Sequence, residues 1–292
     1  MTDPDWQHSI LLEVGADGIA LVTLNRPERR NGWTPQMEAR FFEVLEAVDR
    51  DPAVRVVVVT GAGKTFCPGL DTGRLDTIAG KPLDLTGRRP PVHTWQFRKP
   101  MIAAVNGACA GVGLVLALVC DVRFAGRKAR FTTAFARRGL VGEYGVTWLL
   151  PRIIGAGRAS DLLLSARVVD AEEALSLGLV NRCVDDDELL TAACDYAREI
   201  AVHCAPTSLA MLRHQLQADA QSDLPTALTA AYRAMTKAVE SPDFREGLDS
   251  FVAGRAPTFA PLADSYRPQE ITGRRLPEVD HDPSAALGGP LS

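Results

Sequence analysis

The sequence predicts an α/β protein, and three observations predict it. Val54–Thr60 carries four consecutive valines in a run of strand length, as a strand buried on both faces requires. A helical stretch precedes it and a strand-like run, Ile19–Leu24, precedes that; strand, helix, strand is the rhythm of layered α/β folds. Finally, Met101–Val105 is another short apolar run ending at a turn signal, Asn106-Gly107. The uncharged stretch behind it, Leu114–Cys120, is long for a strand and far too short to span a membrane, so it reads as a buried helix.

Taken in order, Ile10–Val14 and Ile19–Leu24 flank Gly15-Ala16-Asp17-Gly18 and read as a hairpin. Asn25-Arg26-Pro27 breaks the second strand. Thr34 and Pro35, followed by Met37, Phe41, Phe42, Leu45 and Val48, give a capping hydroxyl, a first-turn proline and helical spacing. Asp71–Arg98 has scattered Gly and Pro with few apolar anchors, which suits either a covering segment over a site or a plain surface loop. Ala129–Arg138 leads into the glycine-rich Gly139–Gly145. Val146–Ile154, Ala156–Ser165 and Ala171–Leu177 read as successive helices, the last stopping at Gly178-Leu179-Val180. From Asp185 to Gly254 the pattern is helical, broken at Pro206 and Pro225; beyond Pro257 the chain becomes a polar, Gly/Pro-rich tail.

At 292 residues the chain holds one large domain or two small ones, with enough length for a sizeable core. A formal net charge of -4 and the lack of a Lys/Arg-rich tract give no support for a nucleic-acid partner. No run of eighteen apolar residues occurs, and MTDPDWQHS lacks the apolar core of a signal peptide, so a cytoplasmic protein is expected. Cys67, Cys109, Cys120, Cys183, Cys194 and Cys204 form no CxxC pair and no metal spacing with histidine; reduced, buried side chains are expected.

Gly107, Gly111 and Gly113 stand at the mouth of the buried helix. Such glycines either allow close helix–strand packing or leave the first N–H groups open to an oxygen that develops negative charge. The second loop worth testing, Gly61–Gly73, is not a phosphate-cradling loop. The glycine required five residues before Gly63 of Gly63-Lys64-Thr65 is Val58, inside the strand. Nor do Gly107, Gly111 and Gly113 match the G-x-G-x-x-G dinucleotide spacing.

Several motifs, in this order, resemble the crotonase (enoyl-CoA hydratase/isomerase) superfamily over about residues 8–260. They are Asn25-Arg26-Pro27-Glu28, Thr65–Asp71, Lys99–Gly107, Cys120-Asp121, Glu172–Val180, and Ser241-Pro242-Asp243-Phe244 leading to Pro257 and Phe259. The resemblance implies a crotonase-like spiral of ββα units with an acyl-CoA site over residues 1–200. It implies a C-terminal helical trimerisation region at 201–260 and an extended tail at 261–292, with trimers often pairing into hexamers. It also implies an acyl-CoA thioester as substrate, coenzyme A entering only as part of it, with no separate cofactor and no metal. The thioester oxygen would sit between the backbone N–H of Leu70, after Gly69, and that of Val112, after Gly111. Arg29, Arg30, Cys67, Gly69, Asp71, Thr72, Gly73 and Gly111 lie where the family holds nucleotide and pantetheine.

The two glutamates that hydratases of this family use fall here on Val115 and Phe135, neither of which can transfer a proton. Glu143, in Gly142-Glu143-Tyr144-Gly145, lies where other branches place a catalytic acid, and Gly139–Pro151 looks most like the isomerising branch. The expectation is an isomerase with Glu143 as its base; a hydratase, a thioester hydrolase, a dehalogenase-like enzyme or a non-catalytic acyl-CoA binder are the alternatives. Phe135, Tyr144 and Trp148 are expected to desolvate Glu143 and raise its pKa, with Arg137 and Arg138 opposing. His93 reads as a bystander, Cys67 as packing, and Asp71 as a residue that shapes the Leu70 loop.

Overall fold

A computed structural model describes residues 6–71, 73, 80 and 88–276. The hairpin forms as β1 (Ile10–Val14) and β2 (Ile19–Leu24), paired antiparallel. Helix α1 (Pro35–Arg50) is capped by the Thr34 hydroxyl, which accepts from the Met37 N–H, and Pro35 opens its first turn. The valine run forms β3 (Val56–Gly61), two residues later than expected at its start. Val54 is nonetheless buried.

From β3 onward the chain repeats one unit. A strand enters a six-stranded sheet, a three-residue strand enters a four-stranded sheet, and in the later turns a helix follows. The pairs are β3 with β4 (Thr65–Cys67), β5 (Met101–Val105) with β6 (Ala108–Ala110), and β7 (Val122–Gly126) with β8 (Arg130–Thr132). Helix α2 (Val112–Leu118) follows β6; α3 (Val146–Ile154) and α4 (Ala156–Ser165) follow β8. β9 (Val169–Asp170) closes the small sheet against β8, α5 (Ala171–Leu177) follows, and β10 (Arg182–Val184) closes the large sheet beside β7. The orders are β1-β2-β3-β5-β7-β10 and β4-β6-β8-β9. Within them β2-β3-β5-β7-β10 and β4-β6-β8 run parallel.

The central strands β3 and β5 of the large sheet are buried on both faces, which explains the valines of β3. Val57, Val59, Met101, Ala103 and Val105 face the main core with α1 and α2, while Val56, Val58, Ile102 and Ala104 pack under α6 (Leu189–His203). Every residue of α2 is buried. Its close docking depends on Gly113: a Cβ there would stand 2.0 Å from the Cys67 carbonyl oxygen. Helix α2 begins two residues earlier than Leu114 and ends before Cys120. The glycine-rich Gly61–Gly73 loop is also more ordered than expected, since β4 lies within it.

The C-terminal helices are α7 (Pro206–Asp219), α8 (Leu224–Val239), α9 (Pro242–Ala253) and α10 (Pro268–Thr272). Prolines start all four, and Pro242 supplies a break that the helical pattern alone did not reveal. Leu212, Tyr232, Met235, Phe244, Leu248 and Phe251 stay exposed on these helices in the single chain. Residues 257–276 fold back over the core: Arg98 donates to the carbonyls of Ala263, Asp264 and Tyr266, and His214 Nε2 lies 3.0 Å from Thr272 Oγ1. The rest of the expected tail lies outside the described residues. All six cysteines are free thiols, no described helix is long and apolar enough to cross a membrane, and no metal-ligating cluster occurs among the described residues.

Candidate active site

One wall of the site is the turn that leaves β4. Trp33 forms a single parallel bridge with Leu70: its N–H donates to the Gly69 carbonyl at 2.8 Å, and its carbonyl accepts from the Asp71 N–H at 3.0 Å. In a trans peptide the carbonyl and the following N–H point in opposite directions, and the described residues contain no cis peptide. Because the Gly69 carbonyl is turned to Trp33, the Leu70 N–H is turned away from it. Gly69 holds φ at 110°, a region closed to side-chain-bearing residues. Cys67 is fully buried, and burial pushes its thiol up to about 12 against weaker opposing backbone hydrogen bonds, so it is packing and not a nucleophile.

The opposite wall is the N-terminus of α2. Gly111 sits at φ 52°, ψ -124°, and its carbonyl accepts the first helical hydrogen bond from Val115 N–H at 3.1 Å. The same trans-peptide argument sends the Val112 N–H outward along the helix axis, where the positive end of the helix dipole lies. The two turns touch: a Cβ on Gly111 would lie 3.7 Å from the Gly69 Cα and 4.0 Å from the Phe135 ring.

Gly69, Leu70, Gly111, Val112, Phe135 and Glu143 line a single cavity of about 360 Å³. Val115, the other position a hydratase would need as glutamate, is fully buried in the core. Glu143 is carried by the loop before α3, where Tyr144 (φ 54°) and Gly145 (φ 75°) are both left-handed. It is half-buried, and burial pushes its carboxyl above the usual carboxylate range, opposed by the charge of Arg88. The opposing cation is therefore Arg88 and not the expected Arg137 or Arg138. Arg137 donates to the Ser165 carbonyl, and Arg138 lies on the cavity rim. Trp148 stacks edge-on with Trp95 at 5.2 Å and does not line the cavity. Tyr144, pushed to about 12 by burial, is neutral at physiological pH.

Arginines form the third side. Arg29 and Arg30 line the cavity, and Arg29 Nη2 pairs with Asp71 Oδ1 at 3.0 Å. Burial alone would raise Asp71, but the Arg29 hydrogen bond, the Gly73 N–H and the charges of Arg29 and Arg26 hold it below the usual range. Asp71 thus ties the Leu70 loop to the Arg26–Arg30 turn. Asn31, missed in the sequence, fixes that turn from beneath. It is wholly buried and left-handed (φ 58°), accepting from Arg26 N–H and donating to the Ala62 and Thr65 carbonyls. Thr72 lies outside the described residues, as does much of the 71–98 segment. His93 stacks on Phe42 at 5.5 Å and lines a different groove. Arg88 and its partner Glu38 were the other residues missed; a helix-face glutamate and a loop arginine carry no local signal that they will meet.

The chain matches the family model described as Enoyl-CoA hydratase/isomerase over residues 15–261. It is 36% identical to the 1,2-epoxyphenylacetyl-CoA isomerase of Escherichia coli over 83% of this chain and 95% of that protein. It is 32% identical to a short-chain-enoyl-CoA hydratase of Clostridium acetobutylicum over 81% and 92% respectively. The crystal structure of a probable enoyl-CoA hydratase/isomerase from Mycobacterium abscessus superposes with a TM-score of 0.81 at 31% identity, covering 87% of this chain and 99% of that one. The two-sheet spiral is thus the crotonase fold, and the chain belongs to the enoyl-CoA hydratase/isomerase family.

Proposed function

We propose that the protein is an acyl-CoA isomerase. The thioester oxygen is held by the N–H groups of Leu70 and Val112, and Glu143 moves the proton. Glu143 takes a proton from carbon next to the thioester carbonyl, the C–H electron pair passes onto the thioester oxygen as an enolate, and the proton returns at another carbon. Each fixed backbone donor aimed at that oxygen contributes about 3 kcal/mol to lowering the barrier. Raising the glutamate by desolvation brings its basicity nearer to that of the operating pH. Arg29, Arg30, Gly69, Asp71, Thr72, Gly73 and Gly111 are assigned to the coenzyme A portion, which enters as part of the substrate.

One observation carries this reading. Of the carboxylates lining the cavity, Glu28 is on the exposed rim, Asp71 is neutralised by Arg26 and Arg29, and Glu143 alone is raised by burial. Phe135, which lines the same cavity, cannot transfer a proton, so the two-carboxylate addition of water lacks a second acid. The hydratase relatives favour a second reading, in which Glu143 activates water. A panel of enoyl-CoA and aromatic epoxyacyl-CoA thioesters, assayed with and without Glu143→Gln, separates the two. Isomerised product lost in the variant supports the proposal, a hydrated product points to the hydratase, and turnover that survives sinks the role of Glu143. Tight ester binding without turnover on the whole panel identifies a binding protein. We further propose a cytoplasmic homotrimer, or a pair of trimers, assembled through the exposed apolar face of α7–α9, which the mass in solution tests.

A further inference from the structure

Glu38 lies near the start of α1 with 2% of its surface exposed, yet the proposed reaction makes no use of it. Its two oxygens take four donors. Oε1 accepts from Arg88 Nε at 2.7 Å and from the Arg89 N–H at 2.9 Å, and Oε2 accepts from Arg88 Nη2 at 2.8 Å and from Trp33 Nε1 at 3.1 Å. That fills the acceptor capacity of a carboxylate and locks the guanidinium in a two-pronged pair. The charge of the guanidinium acts on both Tyr144 and Glu143, opposing the effect of burial on each. At the other end, Trp33 is the residue whose backbone clasps Gly69 and Asp71 and so aims the Leu70 N–H. A continuous set of hydrogen bonds therefore runs from the Leu70 turn, through Trp33 and Glu38, to Arg88, whose charge acts on the loop that carries the acid.

We propose that Glu38 and Arg88 are the positioning pair of this site: they hold the 143–145 loop in register with the Leu70 amide and set one positive charge beside the base. The inference rests on Glu143 being that base. Two observations favour a role beyond packing. Tyr144 is left-handed without being glycine, a conformation that persists only where the surroundings impose it, and Arg88 is the cation whose charge acts on it. The charges facing Glu143 also leave Arg88 dominant. Tyr144 is neutral, Arg29 is compensated by Asp71, and Arg30, Arg138 and Glu28 are exposed on the rim, where water and salt screen them. Burial favours the neutral carboxyl and the cation favours the anion. Their balance fixes the pH at which the base is ready, and Glu38 keeps the cation in place.

The test uses the full-length protein with 13C-labelled glutamate. The Glu143 carboxyl signal, assigned by its loss in Glu143→Gln, is titrated in the natural protein, Arg88→Lys and Arg88→Met. The kcat/KM of each is followed against pH with an enoyl-CoA or epoxyacyl-CoA thioester. In Arg88→Met the carboxyl midpoint and the acid limb of kcat/KM both move to higher pH, Arg88→Lys restores most of the displacement, and KM changes by no more than about twofold. A residue that merely packs would lower stability and leave the midpoint where it was. An unmoved midpoint in folded Arg88→Met overturns the proposal. Should that variant not fold, Glu38→Gln/Arg88→Met, which leaves no unpaired buried carboxylate, carries the same measurement. The NMR midpoint needs no turnover, so a Glu143→Gln protein of full activity would overturn the base assignment while the pair is still judged on its own.

Discussion

Two regions of this molecule face each other across one cavity and are built in opposite ways. On one side stand the β4 turn and the mouth of α2, whose main-chain amides are the proposed donors, and α2 is seated by a glycine with no room for a side chain: a Cβ on Gly113 would sit 2.0 Å from a carbonyl oxygen. On the other side the 139–145 loop presents a side chain, and its first glycine is loosely surrounded; nothing lies within 4 Å of a Cβ on Gly139. The amides depend on backbone packing and tolerate Leu70 and Val112 as their owners. The acid depends on residue identity and on what surrounds it, namely burial and the charge of Arg88. On the proposed reading, one fold can thus keep a fixed receptor for a thioester oxygen and change its chemistry by changing the loop opposite.

The sharpest way to break that contrast is to remove the acid alone. Glu143→Gln preserves shape and is expected to lower kcat by about 10²–10⁴, the range for losing a general base. Binding of a CoA ester, measured by calorimetry, stays close to that of the natural protein. Unchanged binding with lost turnover shows that the receptor works without the acid; loss of both would erase the distinction between the two sides. Next in size is the pair Gly113→Ala and Gly139→Ala. The first forces α2 away from β4 and is expected to cost about 3 kcal/mol of stability or more. The second meets no atom and bears only the penalty of a left-handed alanine at φ 68°, about 1 kcal/mol. Thermal melts read both, and equal losses would remove the difference in packing on which the comparison stands.

A smaller effect concerns stability and pH. Burial raises the folded-state pKa of Glu143 above its unfolded value. In acid both states carry the proton, so the group is neutral in its effect on folding. As pH climbs from the unfolded pKa through the folded one, the unfolded chain ionises first and the folded state loses stability relative to it. Glu143→Gln has no such group. Its melting temperature should match the natural protein in acid and rise relative to it on going toward neutral pH. A gap of the opposite sign would mean that the carboxylate is stabilised in the fold, as it would be if Arg88 outweighed burial.

Much of this was legible in the sequence because long elements announce themselves. The valines of β3, the apolar spacing of α1 and the uncharged run of α2 each state their burial over a full period of the structure. The strands that build the small sheet did not. β4, β6 and β8 have three residues each, too few for alternation to register, so Thr65–Cys67 and Arg130–Thr132 looked like parts of loops. Glu143 could be picked out because it is an acid in a glycine-rich loop, and the resemblance gave that loop a meaning. Arg88 could not. Its importance comes from meeting Glu38, fifty positions away in the chain, and a pair at that separation leaves no pattern that one sequence can reveal. Asn31 was hidden for a related reason: its three hydrogen-bond partners come from its own turn and from the far side of β3.

The least disruptive change tests the receptor most selectively. Leu70 lines the cavity, is proposed to contribute its amide there, and has a half-buried side chain that packs against the core. Leu70→Met keeps the volume and the N–H, and the Trp33 bridge that aims the N–H involves the neighbours' backbone, not the side chain. Stability is expected to fall by less than about 1.5 kcal/mol and kcat to stay within about twofold. If the donor itself were lost, the fall in kcat would be about 10²–10³. Steady-state kinetics on the natural protein and Leu70→Met distinguish these by more than an order of magnitude. A near-natural rate locates the contribution of this residue in its peptide bond. A collapse in rate without a collapse in stability would assign it to the side chain, and the two sides of the cavity would then be built alike.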